Sequence, residues 1–459
     1  MAQTICAIAT GVGGGIGIVR VSGEQAQQIG SRILSPWPQA PESHRLYYGE
    51  VRPWLAAGVS VQDPSNAPRE TIDQVLFCVM RAPRSYTGED VVEIHAHGGA
   101  VTLQQIVEAA LAAGATAAEP GEFTRRAFLH GKIDLTRAEA VASLLSAHSV
   151  QAARQAQRQL RGELSASVHS LFQRATDLLA DVESTLDHPD LDDDRLDAAR
   201  WIAELATLSA RTTKLSQSFV QGGKALSQGV EIALVGRTNA GKSSLLNALA
   251  GDERVLVDAQ PGTTRDVVEV HVVWDGVSVL LIDTAGERQD KTSLETAGQR
   301  LAKKRLANVD LVLLVVDGTV GFGIEEQHLK TLLPQNIPVQ VVWNKIDHTA
   351  CLPVQKDAIG LSALCGHGLS ALRKQLLQRL APNLSAQGEL LVTCARQFEA
   401  LAQATEAFER AQTLLSHHVS LDVVAAELRL ARKRLGEVTG NHIDQTVLDE
   451  IFSRFCLGK

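Results

Sequence analysis

The first 120 residues alternate short apolar runs with loops rich in proline and glycine. The runs with strand character are residues 16–21, 75–79 and 91–95, and one helical stretch covers residues 101–112. Strands of this length mixed with a single helix are typical of a compact α+β unit. We therefore predict an α+β domain over residues 1–120.

From Phe123 onward the pattern becomes helical, because apolar residues recur three and four positions apart and helix breakers are few. Long helical stretches are predicted at 149–186 and 201–219. Gln221-Gly222-Gly223-Lys224 reads as a linker. Helical spacing then returns at 399–417, 422–438 and 445–455. The chain thus has helical texture on both sides of a central region with a different pattern.

The central region carries short apolar runs that each end in a polar motif. Residues 230–235 form a run suited to a buried strand, and they lead into Gly236-Arg237-Thr238-Asn239-Ala240-Gly241-Lys242-Ser243. Residues 244–250 follow with helical spacing. A glycine-rich turn between strand and helix directs backbone N–H groups at phosphates, with the lysine reaching the β and γ groups and the serine hydroxyl available to Mg²⁺. We predict a nucleotide site here.

Three further motifs favour guanine nucleotides. Residues 280–282 run into Asp283-Thr284-Ala285-Gly286, whose glycine amide can approach a γ-phosphate. Residues 339–343 run into Asn344-Lys345-Ile346-Asp347, and a carboxylate such as Asp347 accepts the two adjacent N–H donors of guanine, which adenine lacks. Ser362-Ala363 fits the last loop around the base. Thr264, in Gly262-Thr263-Thr264, can complete the Mg²⁺ shell.

The motifs assign the following residues to the nucleotide: Asn239, Ala240, Gly241, Lys242, Ser243, Ser244, Asp258, Ala259, Gln260, Pro261, Gly262, Thr263, Thr264, Asp283, Thr284, Ala285, Gly286, Asn344, Lys345, Ile346, Asp347, Ser362, Ala363 and Leu364. Within this set, Ser243 and Thr264 are the predicted Mg²⁺ ligands.

Composition agrees with a large globular protein. The 459 residues are 45% hydrophobic and 21% charged, and the formal net charge of −8 argues against a protein that coats nucleic acid. Six cysteines show no Cys-x-x-Cys pair, so neither a disulfide framework nor a zinc site is indicated. The N-terminus lacks signal-peptide features, and no apolar run approaches about 18 residues. We expect a soluble, unprocessed protein of the cytoplasm that does not enter a membrane.

These patterns predict a multidomain α/β protein in which a Ras-like P-loop domain is inserted into a discontinuous all-α domain. Neither helical part looks large enough to form a core alone, and inserted domains need chain ends that lie close together. The predicted boundaries are 1–120 for the α+β domain, 121–222 and 383–459 for the two helical parts, and 223–382 for the nucleotide-binding domain.

Four stretches outside the central region resemble the MnmE (TrmE) family of tRNA-modification GTPases, and the resemblance runs from end to end. They are residues 15–23 (GIGIVRVSG), 86–94 with His97-Gly98-Gly99, 120–129 (PGEFTRRAFL), and the terminal Phe455-Cys456-Leu457-Gly458-Lys459. A closing cysteine-containing tail has no structural need at a chain end, which makes it the most telling of the four.

The resemblance implies a homodimer whose N-terminal domain, which also dimerises, holds 5-formyltetrahydrofolate. By position, the folate contacts fall on Arg20, Glu93, Lys132 and Lys459. The chemistry is reasonable, since a carboxylate suits pterin N–H donors and a cation suits the glutamate tail. The resemblance further implies a partner, the FAD protein MnmG (GidA), in a heterotetramer that installs a carboxymethylaminomethyl or aminomethyl group on C5 of the wobble uridine, position 34, of certain tRNAs.

The resemblance also implies how GTP is hydrolysed. Many small GTPases place a glutamine directly after the Asp-x-x-Gly glycine, and here that position is Glu287. The family's water-positioning glutamate aligns instead with Glu295, and Arg288 is a second family-like position. In place of an arginine finger the family uses K⁺, which falls here on Asn239, Asp258, Gln260 and Thr263 when two nucleotide-binding domains pair. Asp258-Ala259-Gln260-Pro261 departs from the usual loop. Because K⁺ ligation in the family partly uses backbone carbonyls, which tolerate substitution, the mechanism is expected to survive with altered ion affinity.

Two alternatives stay open at the level of sequence. A GTP-dependent switch in ribosome assembly would share the phosphate loop and Asn344-Lys345-Ile346-Asp347, but it would not need Arg20, Glu93 or the terminal tail. Cys456 is either a nucleophile beside the folate or a small apolar residue at the pocket mouth, and the second interpretation is preferred. The sequence does not identify the tRNAs or the amino donor.

Overall fold

The computed structural model describes residues 3–54, 71–187, 198–251, 268–283, 309–335, 337–348, 358–382, 390–441 and 443–458. They form two compact units. The first holds residues up to 142 together with those from 439 onward, and the second holds residues 143–438. The domain boundaries drawn from the sequence stay a prediction.

The strands in chain order are β1 (Ile5–Ile8), β2 (Ile16–Ser22), β3 (Leu34–Ser35), β4 (Leu46–Val51), β5 (Asp73–Met80), β6 (Val91–His97), β7 (Thr116–Ala117), β8 (Val230–Gly236), β9 (Val268–Trp274), β10 (Val277–Asp283), β11 (Leu311–Asp317), β12 (Val339–Asn344) and β13 (Ile359–Gly360).

The α-helices are α1 (Ala26–Ile33), α2 (Ala100–Ala112), α3 (Glu122–Leu129), α4 (Leu135–Leu145), α5 (Val150–Leu160), α6 (Glu163–Asp187), α7 (Ala198–Ser218), α8 (Lys224–Gln228), α9 (Lys242–Ala250), α10 (Ile324–Leu332), α11 (Leu369–Leu380), α12 (Ala395–Ser416), α13 (Leu421–Thr439) and α14 (Gln445–Ser453). A π-helical turn, Phe219–Gly223, joins α7 to α8, and a short 3₁₀ turn covers Ile346–His348.

The first unit is built on a seven-stranded sheet in the order β3-β4-β5-β6-β2-β1-β7. Alternation along β2 decides which face is covered, because Val19 and Val21 are buried beneath α1 and α2 while Arg20 points to the opposite face. Arg20 lies directly opposite Glu93 on the antiparallel neighbour β6. The sheet register therefore brings together two residues far apart in sequence.

The end of the chain packs within this first unit. Phe452 and Phe455 share a small core with Leu135 of α4. Gly121 has a φ of 69°, and a side chain there would meet the Phe452 carbonyl at 2.6 Å, so only glycine fits. A Cβ on Gly458 would lie 1.9 Å from the Ile8 carbonyl, which places the terminal tail against the backbone beside β1.

In the second unit, one helical core draws on both sides of the central region. It combines residues from α6 and α7 with residues from α12 and α13. Residues three and four positions apart share one face of α6, and this apolar face is the buried one. The buried residues are Leu164, Val168, Leu171, Ala175, Leu178, Leu179 and Val182. The stretch predicted as one helix over 149–186 is two helices, because Gly162 adopts a φ of 90° between α5 and α6.

The predicted linker at Gln221–Lys224 is wrong as a loop, because the backbone there stays helical. The π-helical turn passes directly into α8. A Cβ on Gly223 would lie 1.7 Å from the Val392 carbonyl, so the glycine lets the outgoing and returning chain segments touch. Ser218 Oγ accepts a hydrogen bond from Val392 N at 3.0 Å, and Gln159 Nε2 donates to the Leu391 carbonyl at 2.8 Å.

A six-stranded sheet with the order β13-β12-β11-β8-β10-β9 forms the rest of the second unit. All neighbouring strands are parallel except β9, which pairs antiparallel with β10. The carboxyl ends of β8, β10, β11 and β12 consequently meet at one edge, which is where open α/β sheets bind ligands. None of the helices in the described ranges is long and apolar enough to cross a membrane.

Candidate functional site

The phosphate loop occupies the turn between β8 and α9, as predicted. Asn239 and Gly241 have positive φ angles of 65° and 89°, which turn the chain sharply into α9. A side chain at position 241 would lie 2.3 Å from Asn344 Nδ2. Glycine is required at this position because the Asn344 side chain fills the space above it.

Lys242 folds back over the loop. Its Nζ donates to the carbonyls of Gly236 at 2.8 Å and Arg237 at 2.7 Å. Burial lowers the pKa of Lys242, while the nearby Asp283 carboxylate acts in the opposite direction. Triphosphate oxygens would replace the two carbonyls as acceptors and would favour the charged amine.

A hydroxyl and a carboxylate meet beside the loop. Ser243 Oγ donates to Asp283 Oδ2 at 2.6 Å, and Asp283, at the end of β10, is almost completely buried. Mg²⁺ in this class of site is held by the loop serine and is oriented by a carboxylate at a strand end. A hydroxyl and a carboxylate are ligand types that suit Mg²⁺, and Ser243 is the residue that would bind the ion directly.

Asn344, at the end of β12, is the buried centre of the base side of the site. Its Nδ2 donates to the Ala240 carbonyl at 3.1 Å. Its Oδ1 accepts from the backbone of Lys345 at 2.9 Å and from Ala363 N at 3.0 Å. One side chain thus joins the phosphate loop to both loops that were predicted to hold the base.

Lys345 and Asp347, both predicted to contact the base, make contacts with neighbouring loops. Lys345 Nζ contacts the Asn239 carbonyl at 2.8 Å and Asp317 Oδ2 at 2.6 Å. A hydrogen bond from Ser362 lowers the pKa of the Asp347 carboxyl, so that this group stays ionised and accepting at neutral pH. Leu364, also assigned to the nucleotide, has a side chain 83% exposed.

Part of the predicted nucleotide site lies outside the described residues. This holds for residues 258–264, which include Thr264 and three of the four predicted K⁺ ligands, and for Thr284, Ala285 and Gly286. It also holds for Glu287, Arg288 and Glu295. The fourth K⁺ ligand, Asn239, is described, and its left-handed backbone lies at the start of the turn.

In the first unit, Arg20 and Glu93 form a close pair. Arg20 Nε donates to Glu93 Oε1 at 2.8 Å. The guanidinium carbon lies over the rings of Tyr86 and Phe123, 5.5 Å from each centroid. Glu93 Oε2 is 3.6 Å from His95 Nε2, a buried atom without a hydrogen-bond partner in the described part of the chain. A charged pair, two aromatic rings and an imidazole nitrogen with no partner among the described residues therefore lie together beside the interior strands β2 and β6.

The two other predicted folate residues are placed differently. Lys132 Nζ donates to the Pro83 carbonyl at 2.8 Å, and the Lys132 side chain packs on Gly88 of the loop that also carries Tyr86. Lys459 lies outside the described residues, although its neighbour Gly458 packs beside β1. Sequence reasoning missed Tyr86 and Phe123 as individual contacts of Arg20, even though both lie in the motifs that carried the family resemblance.

Sequence reasoning also missed Asp317. This residue ends β11 and binds both Lys345 and the backbone and hydroxyl of Thr319. The hydrogen bond from Lys345 is the largest cause that lowers the pKa of Asp317, against a rise from burial. An aspartate at the end of an apolar run, before a glycine, is the same kind of signal that identified Asp283.

Comparisons with known proteins agree with this geometry. Residues 135–456 match the family model described as MnmE helical domain, and residues 4–132 match the model described as GTP-binding protein TrmE N-terminus. A protein from Synechococcus sp. (strain RCC307), titled tRNA modification GTPase MnmE, is 41% identical over 463 residues that cover 100% of this chain and 98% of the relative. The chain belongs to the MnmE family of tRNA modification GTPases.

Other relatives have the same title and similar coverage. The protein from Nitrosomonas eutropha (strain DSM 101675 / C91 / Nm57) is 41% identical over 467 residues, covering 100% of this MnmE-family chain and 99% of the relative. A crystal structure of an Aquifex aeolicus Era variant bound to GDP.AlF4- is 27% identical, covers 39% of this chain and 66% of that one, and has a TM-score of 0.28. The family models and the relatives aligned over the whole chain confirm the predicted family, and the sheets and helical core described above confirm the predicted fold class.

Proposed function

We propose that this MnmE-family protein hydrolyses GTP in the course of tRNA modification in the cytoplasm. The observation that carries the nucleotide part is the buried Asn344 amide, which joins the phosphate loop to the base loops. Together with an ionised Asp347, it leaves a site whose acceptors match guanine. The titles of relatives aligned over the whole chain support the tRNA part.

The residues around the phosphates have separate roles. Lys242 would move from the Gly236 and Arg237 carbonyls to the β and γ phosphates, and Ser243 would hold Mg²⁺ in place of its present bond to Asp283. The bound Mg²⁺ supplies charge neutralisation at the phosphates. For hydrolysis, Glu295 would position the attacking water, and K⁺ at Asn239 would supply the charge that an arginine finger gives elsewhere.

These hydrolytic roles extend to a dimer. Two nucleotide-binding domains would pair to close the K⁺ loop over residues 258–263, within a homodimer of the whole protein. Faster hydrolysis in K⁺ than in Na⁺ at equal ionic strength is the signature to measure. Equal rates in the two ions would remove K⁺ from the mechanism while leaving the nucleotide site intact.

For the first unit, the proposal is a tetrahydrofolate site at Arg20 and Glu93. The Glu93 carboxylate can accept the paired N–H donors of a pterin ring, and the aromatic rings of Tyr86 and Phe123 suit a flat ligand. His95 Nε2, which has no hydrogen-bond partner among the described residues, offers a further polar contact. Lys132 and Lys459 remain the proposed contacts for the glutamate tail, whose carboxylates suit cations.

The complete reaction, as proposed, joins these two sites. Together with an FAD-dependent partner of the MnmG (GidA) type, the protein would attach an aminomethyl-type group to C5 of the uridine at position 34, using the one-carbon unit of the folate. A second candidate function, a switch in ribosome assembly, gives no role to the Arg20–Glu93 pair of the first unit.

Mass spectrometry of wobble uridines tests the proposal directly. In tRNA from cells that lack the protein, the modified uridine is expected to disappear and to return on expression of the wild-type chain. Asp347→Asn should fail to restore it if GTP is the nucleotide used. Unchanged wobble uridines, with co-sedimentation of the protein and ribosomal subunits, would favour the second candidate.

A further inference from the structure

Arg237 is the second residue of the phosphate loop, and its side chain reaches the beginning of α10. Arg237 Nε lies 2.7 Å from Glu325 Oε2 and 3.6 Å from Glu326 Oε1. Both carboxylates belong to the first turn of α10, which follows β11 after a short loop. The contact therefore joins the phosphate loop to a segment that none of the nucleotide motifs includes.

The two carboxylates differ in their surroundings. The Glu325 side chain is 67% exposed, whereas that of Glu326 is 1% exposed. Glu326 Oε2 accepts a hydrogen bond from Gly323 N at 2.8 Å, which fixes its carboxylate at the start of the helix. Solvent screens an exposed ion pair, but a buried carboxylate needs a nearby positive charge. Arg237 supplies that charge from a side chain that is one third exposed.

Arg237 lies two residues before a position whose backbone conformation is unfavourable. Asn239 holds a left-handed conformation, which costs free energy for a residue other than glycine. Lys345 Nζ binds the Asn239 carbonyl and is itself paired with Asp317. The three residues 237–239 are thus held at one end through Asp317 and at the other through Glu326. Both carboxylates lie on the segment that runs from the end of β11 into α10.

We propose that Arg237 is a positioning residue, which keeps the phosphate loop in its binding conformation through the buried carboxylate of Glu326. The inference rests on the nucleotide site proposed above and adds α10 to it. A loop that is already ordered loses less conformational freedom when the nucleotide binds. Because the loop contacts GDP and GTP alike, loss of the anchor should weaken both nucleotides equally and leave the chemical step unchanged.

The test compares Glu326→Gln with Glu325→Gln in the full-length protein. Glutamine at 326 keeps an acceptor for Gly323 N but removes the charge. We expect Kd values for fluorescent GDP and GTP to rise together by about fivefold or more in Glu326→Gln, with kcat at saturating GTP within about twofold of wild type. Glu325→Gln should bind both nucleotides within about twofold of wild type, although Glu325 is the nearer carboxylate.

A double-mutant cycle then links the effect to Arg237. Arg237→Gln should raise both Kd values as Glu326→Gln does, and the double variant should be little worse than either single one. Arg237→Lys, which keeps the charge, should recover part of the affinity. These losses should be less sensitive to salt than those of an exposed pair, because the Glu326 carboxylate is buried. Should Glu326→Gln fail to fold, as judged by its thermal transition, the comparison of Arg237→Gln with Arg237→Lys decides together with Glu325→Gln, which removes the other carboxylate.

Several outcomes would overturn the proposal. One is an equal or larger effect of Glu325→Gln, and another is strict additivity of the two single changes. A fall in kcat with unchanged Kd would show that the pair acts on the reaction and not on the loop. A wild-type protein that binds neither nucleotide would instead overturn the nucleotide site itself, so the two failures are distinguishable.

Discussion

The Ser243 hydroxyl donates a 2.6 Å hydrogen bond to the Asp283 carboxylate, which ends the neighbouring strand β10. One residue belongs to the predicted phosphate loop and the other to the second nucleotide motif, so their contact brings together the two side chains proposed to lie beside a magnesium ion. Replacing Ser243 by alanine removes this hydroxyl. The Ser243–Asp283 pair therefore gives a direct means of separating metal binding from nucleotide binding.

We expect Ser243→Ala to lose at least about tenfold in GTP affinity when Mg²⁺ is present, because a metal ligand is removed. In EDTA the variant and the wild type should bind GTP equally, since Lys242 and the backbone N–H groups are unchanged. Titration of a fluorescent GTP analogue in both conditions measures the difference. An equal loss in EDTA would mean that the serine acts on the phosphates or the fold and not through the metal.

Asp347→Asn should exchange guanine preference for xanthine preference. One carboxylate oxygen becomes an N–H₂ donor, which opposes a donor of guanine but matches the extra carbonyl of xanthine. GTP affinity should fall by about a hundredfold, and XTP affinity should rise. Competition between the two nucleotides measures this exchange. Retention of GTP binding by Asp347→Asn would contradict the assignment of the base site.

Much of the nucleotide site is predictable because its information is local. A strand, a turn with two positive φ angles and a helix follow one another in sequence, so residues 230–250 identify the phosphate loop without knowledge of the fold. The motifs after β10 and β12 converge for an equally simple reason, since parallel strands end at one sheet edge. The role of Asn344 is not predictable from local sequence, because the hydrogen bond from its side chain to the Ala240 carbonyl depends on the order of the strands in the sheet.

Contacts between distant segments are not predictable in the same way. Nothing near Arg237 indicates that its side chain pairs with Glu326, because the pairing depends on where α10 begins. The contacts of Arg20 with the rings of Tyr86 and Phe123 likewise need three segments to be assembled. The misread linker has a third cause, since glycines that suggest flexibility here allow the close approach of Gly223 to Val392.

Glu93→Gln is predicted to weaken binding of tetrahydrofolate derivatives by about tenfold or more. The glutamine presents an N–H₂ donor to the pterin donors, and Arg20 loses its charge partner. Calorimetric titration of the full-length variant with 5-formyltetrahydrofolate measures the loss. GTP affinity of the same variant is the internal control and should not change. Unaltered folate binding would show that the folate site does not include the Arg20–Glu93 pair.

Glu295→Ala should lower kcat while the Kd for GTP stays close to the wild-type value, because a group that acts on the attacking water contributes only in the transition state. Glu287→Ala is the matched comparison, since Glu287 occupies the position where many small GTPases carry glutamine. Single-turnover hydrolysis separates the chemical step from product release. A larger loss of kcat in Glu287→Ala would show that the alignment of this segment is displaced.

Lys242 gives a prediction about protons. Burial lowers the pKa of its amine below the ordinary value in the unliganded site, and bound phosphates would raise it. Between the two pKa values the Lys242 amine is neutral in the free protein and charged in the GTP complex. GTP binding should therefore be accompanied by the uptake of a proton. The affinity should therefore fall as the pH rises through the pKa of the unliganded lysine.

Calorimetry at a series of alkaline pH values, in two buffers of different ionisation enthalpy, measures that proton. Lys242→Arg is the control, because a guanidinium stays charged over this range and its titration adds nothing to the proton count. The guanine base titrates near the upper end of the range in both proteins, so the comparison of wild type with variant isolates the lysine. Equal proton counts in the two proteins, or release of a proton by the wild type, would show that Lys242 is already fully charged before GTP binds.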